Sequence, residues 1–206
     1  PVPGHSQHGV ADKHMLIQRF AVALLFALGA CETQVQIETM PELTFGHLPT
    51  INLNVAEIKF DNRYTPTLKP PNVEHLFPTP LGKVLNQWAS DRLRPVGASG
   101  VARLIISNAA ATETALKKNT SFTGIFTMQQ SHRYDLKVEA TLEVYDLTGK
   151  RRGFAAAVAT RSQTMREDVS LNQRERIWFE ATEKLIQAFD AEMDKSIRRH
   201  LVNWIR

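Results

Sequence analysis

The most reactive group in this sequence is a single thiol. Cys31 is the only cysteine among 206 residues, so it can close no internal disulfide, and its use must come from the thiolate, the nucleophilic form of the sulfur. It follows Leu28, Gly29 and Ala30. The two small residues leave the backbone thin enough to enter a protease cleft, and Leu28 can fill an apolar pocket there. The expected chemistry is cleavage beside Cys31 and modification of its sulfur. Elsewhere the sequence holds no Gly-x-Ser-x-Gly, no His-Glu-x-x-His, no glycine-rich phosphate loop and no metal-spaced cluster of His or Cys. His47, His75, His132 and His200 fall in four separate segments and read as surface or loop residues rather than ligands. Glu139 and Glu143 alternate with apolar residues, a pattern of solubilising carboxylates. No catalytic residue, metal or cofactor is expected from these patterns, and the chain reads as a non-enzyme.

The residues that position Cys31 give its chemistry a context. Pro1 to His14 is polar and reads as an upstream leader; Met15 opens a short segment with Arg19, followed by the uninterrupted apolar run Phe20 to Leu28. That order matches a secretory signal over 15–30. Nine apolar residues span only about 14 Å as a helix, well short of the ~30 Å hydrocarbon core, so a lasting transmembrane span is not expected. Leu28-Gly29-Ala30-Cys31 resembles the lipobox of bacterial lipoproteins. The resemblance implies that Cys31 carries a covalent diacylglycerol, that cleavage precedes it, and that its freed amine takes an N-acyl chain such as palmitate. Two or more chains, at ~0.8 kcal/mol per buried CH₂, anchor a protein stably where one is marginal. Glu32 rather than Asp follows Cys31, and by the sorting rule of that family the resemblance favours the periplasmic face of the outer membrane over the inner membrane.

From Cys31 to Arg206 the chain has 176 residues, enough for one domain with a tether. Without Lys13, Arg19 and Asp12 of the leader, 25 basic residues become 23 and 21 acidic become 20, a net of +3. The charges are interleaved except at Lys117-Lys118, Lys150 to Arg152 and Arg198-Arg199, so nucleic acid is not implied as a partner. These short clusters could only assist an anchor at a lipid surface.

Along the chain, 31–50 lacks a sustained period and contains Pro41, Gly46 and Pro49, which suits a tether; 51–206 reads as the folded domain. Ile51, Leu53 and Val55, then Ile58 and Phe60 on shifted parity, predict one strand with a bulge near Val55-Ala56. Five prolines between Asn62 and Pro80 predict a long loop, packed down by Tyr64, Leu68 and Phe77. Thr79-Pro80 predicts a helix start with a hydroxyl cap, and Leu81, Val84, Leu85 and Trp88 predict its apolar face, ending near Leu93. A second strand starts at Val101 in a β-rich run extending toward Thr114. Phe122, Ile125 and Phe126 mark an apolar loop over Lys117 to Met128. Tyr134 to Tyr145 alternates strictly and predicts a strand with one buried face. Asp146 to Lys150 predicts a turn, and Gly153 to Met165 a returning strand whose alanines admit a close helix. Ser170 to Gln173 predicts a capping box, followed by one helix to Trp204 with Ile177, Trp178, Ala181, Leu185, Ala188, Phe189, Met193, Ile197 and Leu201 on its stripe. Its last turns should overhang the sheet. Arg198, Arg199 and Trp204 there, with Phe122, Ile125 and Phe126, are candidate contacts for a partner or a membrane, beside the alternative that the helix end packs on a loop.

The predicted fold class is α+β: a small mixed or antiparallel sheet of about four strands, in the order β-α-β-β-β-α, with two helices on one face and a long C-terminal helix. After a lipobox, this order resembles the outer-membrane lipoproteins of the lipopolysaccharide translocon and the auxiliary lipoproteins of ABC-type lipid transport, in topology. Asn62 to Leu93 with the Trp178 helix is also similar to an alphaproteobacterial lipoprotein family, for which no activity is implied. The expected function is that of a lipid-anchored, non-enzymatic accessory or scaffold protein of the cell envelope, within an outer-membrane assembly or lipid-transport complex. The alternatives are a periplasmic lipid or small-ligand binding module, with its cleft between the Phe122 to Met128 loop and the sheet edge, and a hydrolase with a dispersed site.

Overall fold

The computed structural model describes residues 40–117 and 130–206. Strands β1 (Ile51–Leu53) and β2 (Glu57–Asn62) are followed by the proline-rich loop, a 3₁₀ turn at Glu74–Leu76, and helix α1 (Leu81–Arg92). Then come β3 (Leu93–Pro95), β4 (Val101–Ala115), β5 (Gln130–Tyr145), β6 (Arg151–Arg166), helix α2 (Leu171–His200) and a 3₁₀ turn at Val202–Trp204. The main sheet has the order β2-β4-β5-β6, and β1 pairs with β3 in a separate two-stranded sheet. β2 runs parallel to β4 and β1 parallel to β3, while β4, β5 and β6 are antiparallel neighbours. Parallel neighbours need a long crossover. The loop and α1 supply it for both parallel pairs, which makes the architecture the α+β arrangement that the sequence predicts.

The strict alternation of β5 is realised in full: Tyr134, Leu136, Val138, Ala140, Leu142 and Val144 are all buried. Ala155, Ala157 and Ala159 of β6 are buried beside them, and these small side chains let α2 lie close over the sheet. α2 buries Trp178, Ala181, Leu185, Phe189, Met193 and Ile197, the i, i+3, i+4 recurrence of a helix with one apolar face. Ala188, predicted on that stripe, is exposed, and Ile186 is buried instead. The capping box is formed: Gln173 N donates to Ser170 Oγ at 3.3 Å, and Ser170 N donates to Gln173 Oε1 at 2.9 Å. The turn after β5 uses Asp146 Oδ1 to accept from Thr148 N, Thr148 Oγ1 and Lys150 N, with Gly149 at φ 77°. The Thr148 hydroxyl leads the interactions that hold the Asp146 carboxyl well below its usual range.

Five local expectations are corrected. The stretch 51–60 is two strands in two sheets rather than one bulged strand. Val55 N donates to Leu53 O, and the backbone then steps across to Gly97 and Gly100. A Cβ on Gly97 would lie 2.5 Å from the Asn54 carbonyl carbon, so only glycine fits this crossing. Helix α1 starts at Leu81 with no side-chain cap, so the Thr79 hydroxyl does not serve. Phe77 and Tyr64 do pack the loop down, but Leu68 is 63% exposed, at φ 55°. Finally, α2 ends at His200, and the chain turns back: Leu201 is buried, Ile205 bridges to Leu53, and Arg206 N donates to Asn52 O. Residues 43–48, predicted as tether, lie against the domain, with Phe45 buried and its amide donating to Asp91 Oδ2 at 2.8 Å.

Candidate functional site

Cys31, with Leu28, Gly29 and Ala30, lies outside the described residues, and so do Phe122, Ile125 and Phe126. The cleft predicted beside that apolar loop falls outside them as well. Of the C-terminal candidates, Trp204 is half-buried against the core, and its carbonyl accepts from Asn54 N at 2.8 Å. Arg198 is exposed and paired with Asp194, Nε to Oδ2 at 2.6 Å; this hydrogen bond raises the guanidinium pKa. Arg199 is exposed. The structure therefore separates the three: Trp204 belongs to the packing that fastens the chain end to β1, and the two arginines lie on the solvent side of the last turn of α2.

The fold also assembles three groups that sequence spacing does not show. The first clamps the helices together. Arg92, 4% exposed, donates from Nε to Asp190 Oδ1 at 2.7 Å and from Nη2 to Asp194 Oδ1 at 3.3 Å. Trp88 Nε1 donates to the same Asp190 oxygen at 2.7 Å. Burial of a charge demands such pairing, and the partners lie about a hundred residues away along the chain.

The second group joins Ser131, His132 and Glu113. Ser131 Oγ is 2.8 Å from His132 Nδ1, and His132 Nε2 is 3.9 Å from Glu113 Oε1. Serine, histidine and carboxylate in this order invite a hydrolase reading. The wiring speaks against it. Ser131 is buried, with its hydroxyl also within 3.5 Å of Met165 O, so the hydroxyl is packed between β5 and β6 and is not presented to a substrate. Glu113 also accepts from Tyr134 Oη at 2.6 Å; burial first, then this bond, pushes the phenol pKa up. The cluster fastens β4 to β5.

The third is a cavity of about 320 Å³ between the proline-rich loop, the start of α1 and Ala109 of β4. Glu74 lines it and is 4% exposed. Its carboxylate accepts from Tyr64 Oη at 2.6 Å, Ala111 N at 3.2 Å and Asn72 Nδ2 at 3.3 Å. Burial opposes ionisation, but these hydrogen bonds, Tyr64's foremost, hold the Glu74 carboxyl below its ordinary value. The same contact, after burial itself, raises the Tyr64 pKa. Asn86, on the facing helix wall, has its Oδ1 sealed from solvent without a donor. The sequence pointed to the loop but not to this carboxylate; the only signal was an acid among prolines, beside the apolar Val73 and Phe77.

Among the described residues no group of three or more His, Cys, Asp or Glu side chains could hold a metal ion, and no helix is long and apolar enough to cross a membrane. No family model matches the chain, and no curated protein matches its sequence. Among solved structures it is similar to rare lipoprotein B from Shewanella oneidensis, at 17% identity and a TM-score of 0.38, over 71% of this chain and 97% of that one. It is also similar to a minor lipoprotein from Acinetobacter baumannii, at 13% identity and a TM-score of 0.37, over 72% and 96% respectively. Similarity at this level assigns neither family nor function, which rest on the residues of the chain itself.

Proposed function

We propose that this chain is a lipid-anchored, non-enzymatic accessory or scaffold protein of the bacterial cell envelope, held through Cys31 at the periplasmic face of the outer membrane. The observation that carries this reading is the order of the apolar run Phe20 to Leu28, the small pair Gly29-Ala30 and the sole cysteine. An apolar run too short to span a bilayer exports the chain, and acyl chains on the sulfur then retain it. The domain supports a scaffold role in its own terms. Its most suggestive catalytic grouping, Ser131-His132-Glu113, keeps the serine hydroxyl buried, and α2 offers a long outer face bearing Lys184, Glu192 and Lys195 to solvent. The partner in this reading is an envelope assembly or lipid-transport complex.

The test is chemical crosslinking in intact cells, followed by separation of inner and outer membranes. The chain is expected in the outer-membrane fraction, crosslinked to a defined set of envelope proteins. Recovery in the soluble periplasmic fraction, free of crosslinks, would overturn it.

A further inference from the structure

Glu74 is a buried carboxylate whose charge is held by hydrogen bonds alone. Burying a carboxylate is costly unless a cation accompanies it. The groups that donate to Glu74 are all neutral: a phenol, an amide side chain and the backbone amides of Ala111 and of Glu74 itself. Among the described residues no Lys, Arg or His nitrogen lies within ion-pair distance of it; of the two basic residues at the same cavity, Lys83 is paired with Glu42 at 3.5 Å and His75 is exposed. The second polar atom without its complement, Asn86 Oδ1, is also an acceptor. The space itself is open where it would be easiest to close. Gly82 lines it, and a Cβ there would meet only Asn62 Nδ2, at 3.4 Å.

We propose that the cavity between the proline-rich loop and the first turns of α1 binds a primary ammonium group, with Glu74 as its counter-ion and Asn86 Oδ1 as a second acceptor. A primary ammonium is a compact cation with three donors and no acceptor, which answers both the missing charge and the missing donor. A neutral ligand answers only the second, and an anion neither. At about 320 Å³ the cavity lies near the small end of ligand sites, so it takes a small amine or a headgroup and leaves an acyl chain outside. Ammonium of this size has two sources near an envelope, a free amine or the headgroup of an ethanolamine lipid. The proposal does not depend on the anchor at Cys31.

The experiment is a titration of the isotope-labelled full chain with ethanolamine at neutral pH, followed by amide chemical shifts, with acetate as the anionic control. Saturable shifts centred on Glu74, Gly82 and Asn86 are expected in the millimolar range, and none with acetate. Glu74→Gln removes the counter-ion and should weaken binding by about tenfold or more. Because that variant also touches the loop, Gly82→Leu is the companion: it fills the cavity, leaves Glu74 and its donors in place, and should abolish the shifts while the spectrum stays folded. Vesicles with and without phosphatidylethanolamine then separate the sources. Binding that requires the ethanolamine lipid and is lost in Gly82→Leu assigns the headgroup, and binding of free ethanolamine alone assigns a soluble amine. Absence of saturable shifts with either, equal shifts with acetate, or shifts that persist in Gly82→Leu would overturn the proposal.

Discussion

Replacing Asp190 by alanine should be among the more damaging single changes to this domain, although the residue sits on a helix face that reads as polar. One oxygen, Oδ1, accepts both from Trp88 Nε1 and from Arg92 Nε, each at 2.7 Å. Trp88 is fully buried and Arg92 is 4% exposed, so both donors lose their shared acceptor inside the fold. Removing one partner of a buried ion pair costs about 3–5 kcal/mol. Arg92 keeps Asp194 at 3.3 Å, which places the expected loss near the lower figure, about 3 kcal/mol. For a domain of this size that corresponds to a fall in Tm of about 6–12 °C. Urea unfolding followed by tryptophan fluorescence should show a lower midpoint at an unchanged slope. Asp194→Ala should cost less, because part of its pairing is with the exposed Arg198. Replacing Arg92 and Asp190 together by leucine should recover part of the loss, since an apolar pair leaves no unpaired cation buried, while Trp88 Nε1 still lacks its acceptor. A loss below about 1 kcal/mol for Asp190→Ala, the worth of an ordinary exposed pair, would refute the reasoning.

Two further outcomes follow from the packing and from the loop. Ala155, fully buried on the helix-facing side of β6, should not tolerate leucine: overpacking beneath α2 should cost about 1–3 kcal/mol in urea unfolding, and an unchanged midpoint would show that α2 does not press on the sheet. Glu74 should make stability depend on pH. Its folded pKa lies below the ordinary 4.5, so its contribution is present above that value and is lost as pH falls through the lower, folded value. Tyr64 titrates the other way: its pKa is raised from 10.0, so its contribution is complete below pH 10 and is lost as pH rises through the higher, folded value. Comparing unfolding midpoints of the native chain and Glu74→Gln between neutral pH and pH 3 should show an acid loss that shrinks in the variant; parallel curves would contradict the assignment.

Much of the fold is legible where one local rule acts alone. β5 alternates because one face is buried along its whole length, and Ser170 with Gln173 marks the start of α2 by a contact three residues long. The sequence is less informative where distant segments decide. The parity change after Val55 looks the same whether a strand bulges or the chain leaves for another sheet, and the difference rests on Gly97 and Gly100 some forty residues later. β3 is three residues long, directly after a helix, and exists only because β1 pairs with it. Arg92 and Asp190 look like solvated helix charges until α1 and α2 meet. Of the candidate sites, the Cys31 motif is contiguous and therefore readable, whereas the Glu74 cavity gathers a loop, a helix and a strand, and no spacing along the chain could announce it.

Attachment through sulfur is the claim on which place and role both rest, and the most direct measurement is metabolic labelling of cells with a palmitate analogue, comparing the native chain with Cys31→Ser. Label on the native protein, none on the variant, and release of the variant from the membrane fraction are the results this account predicts. Equal labelling and unchanged membrane recovery of Cys31→Ser would contradict it.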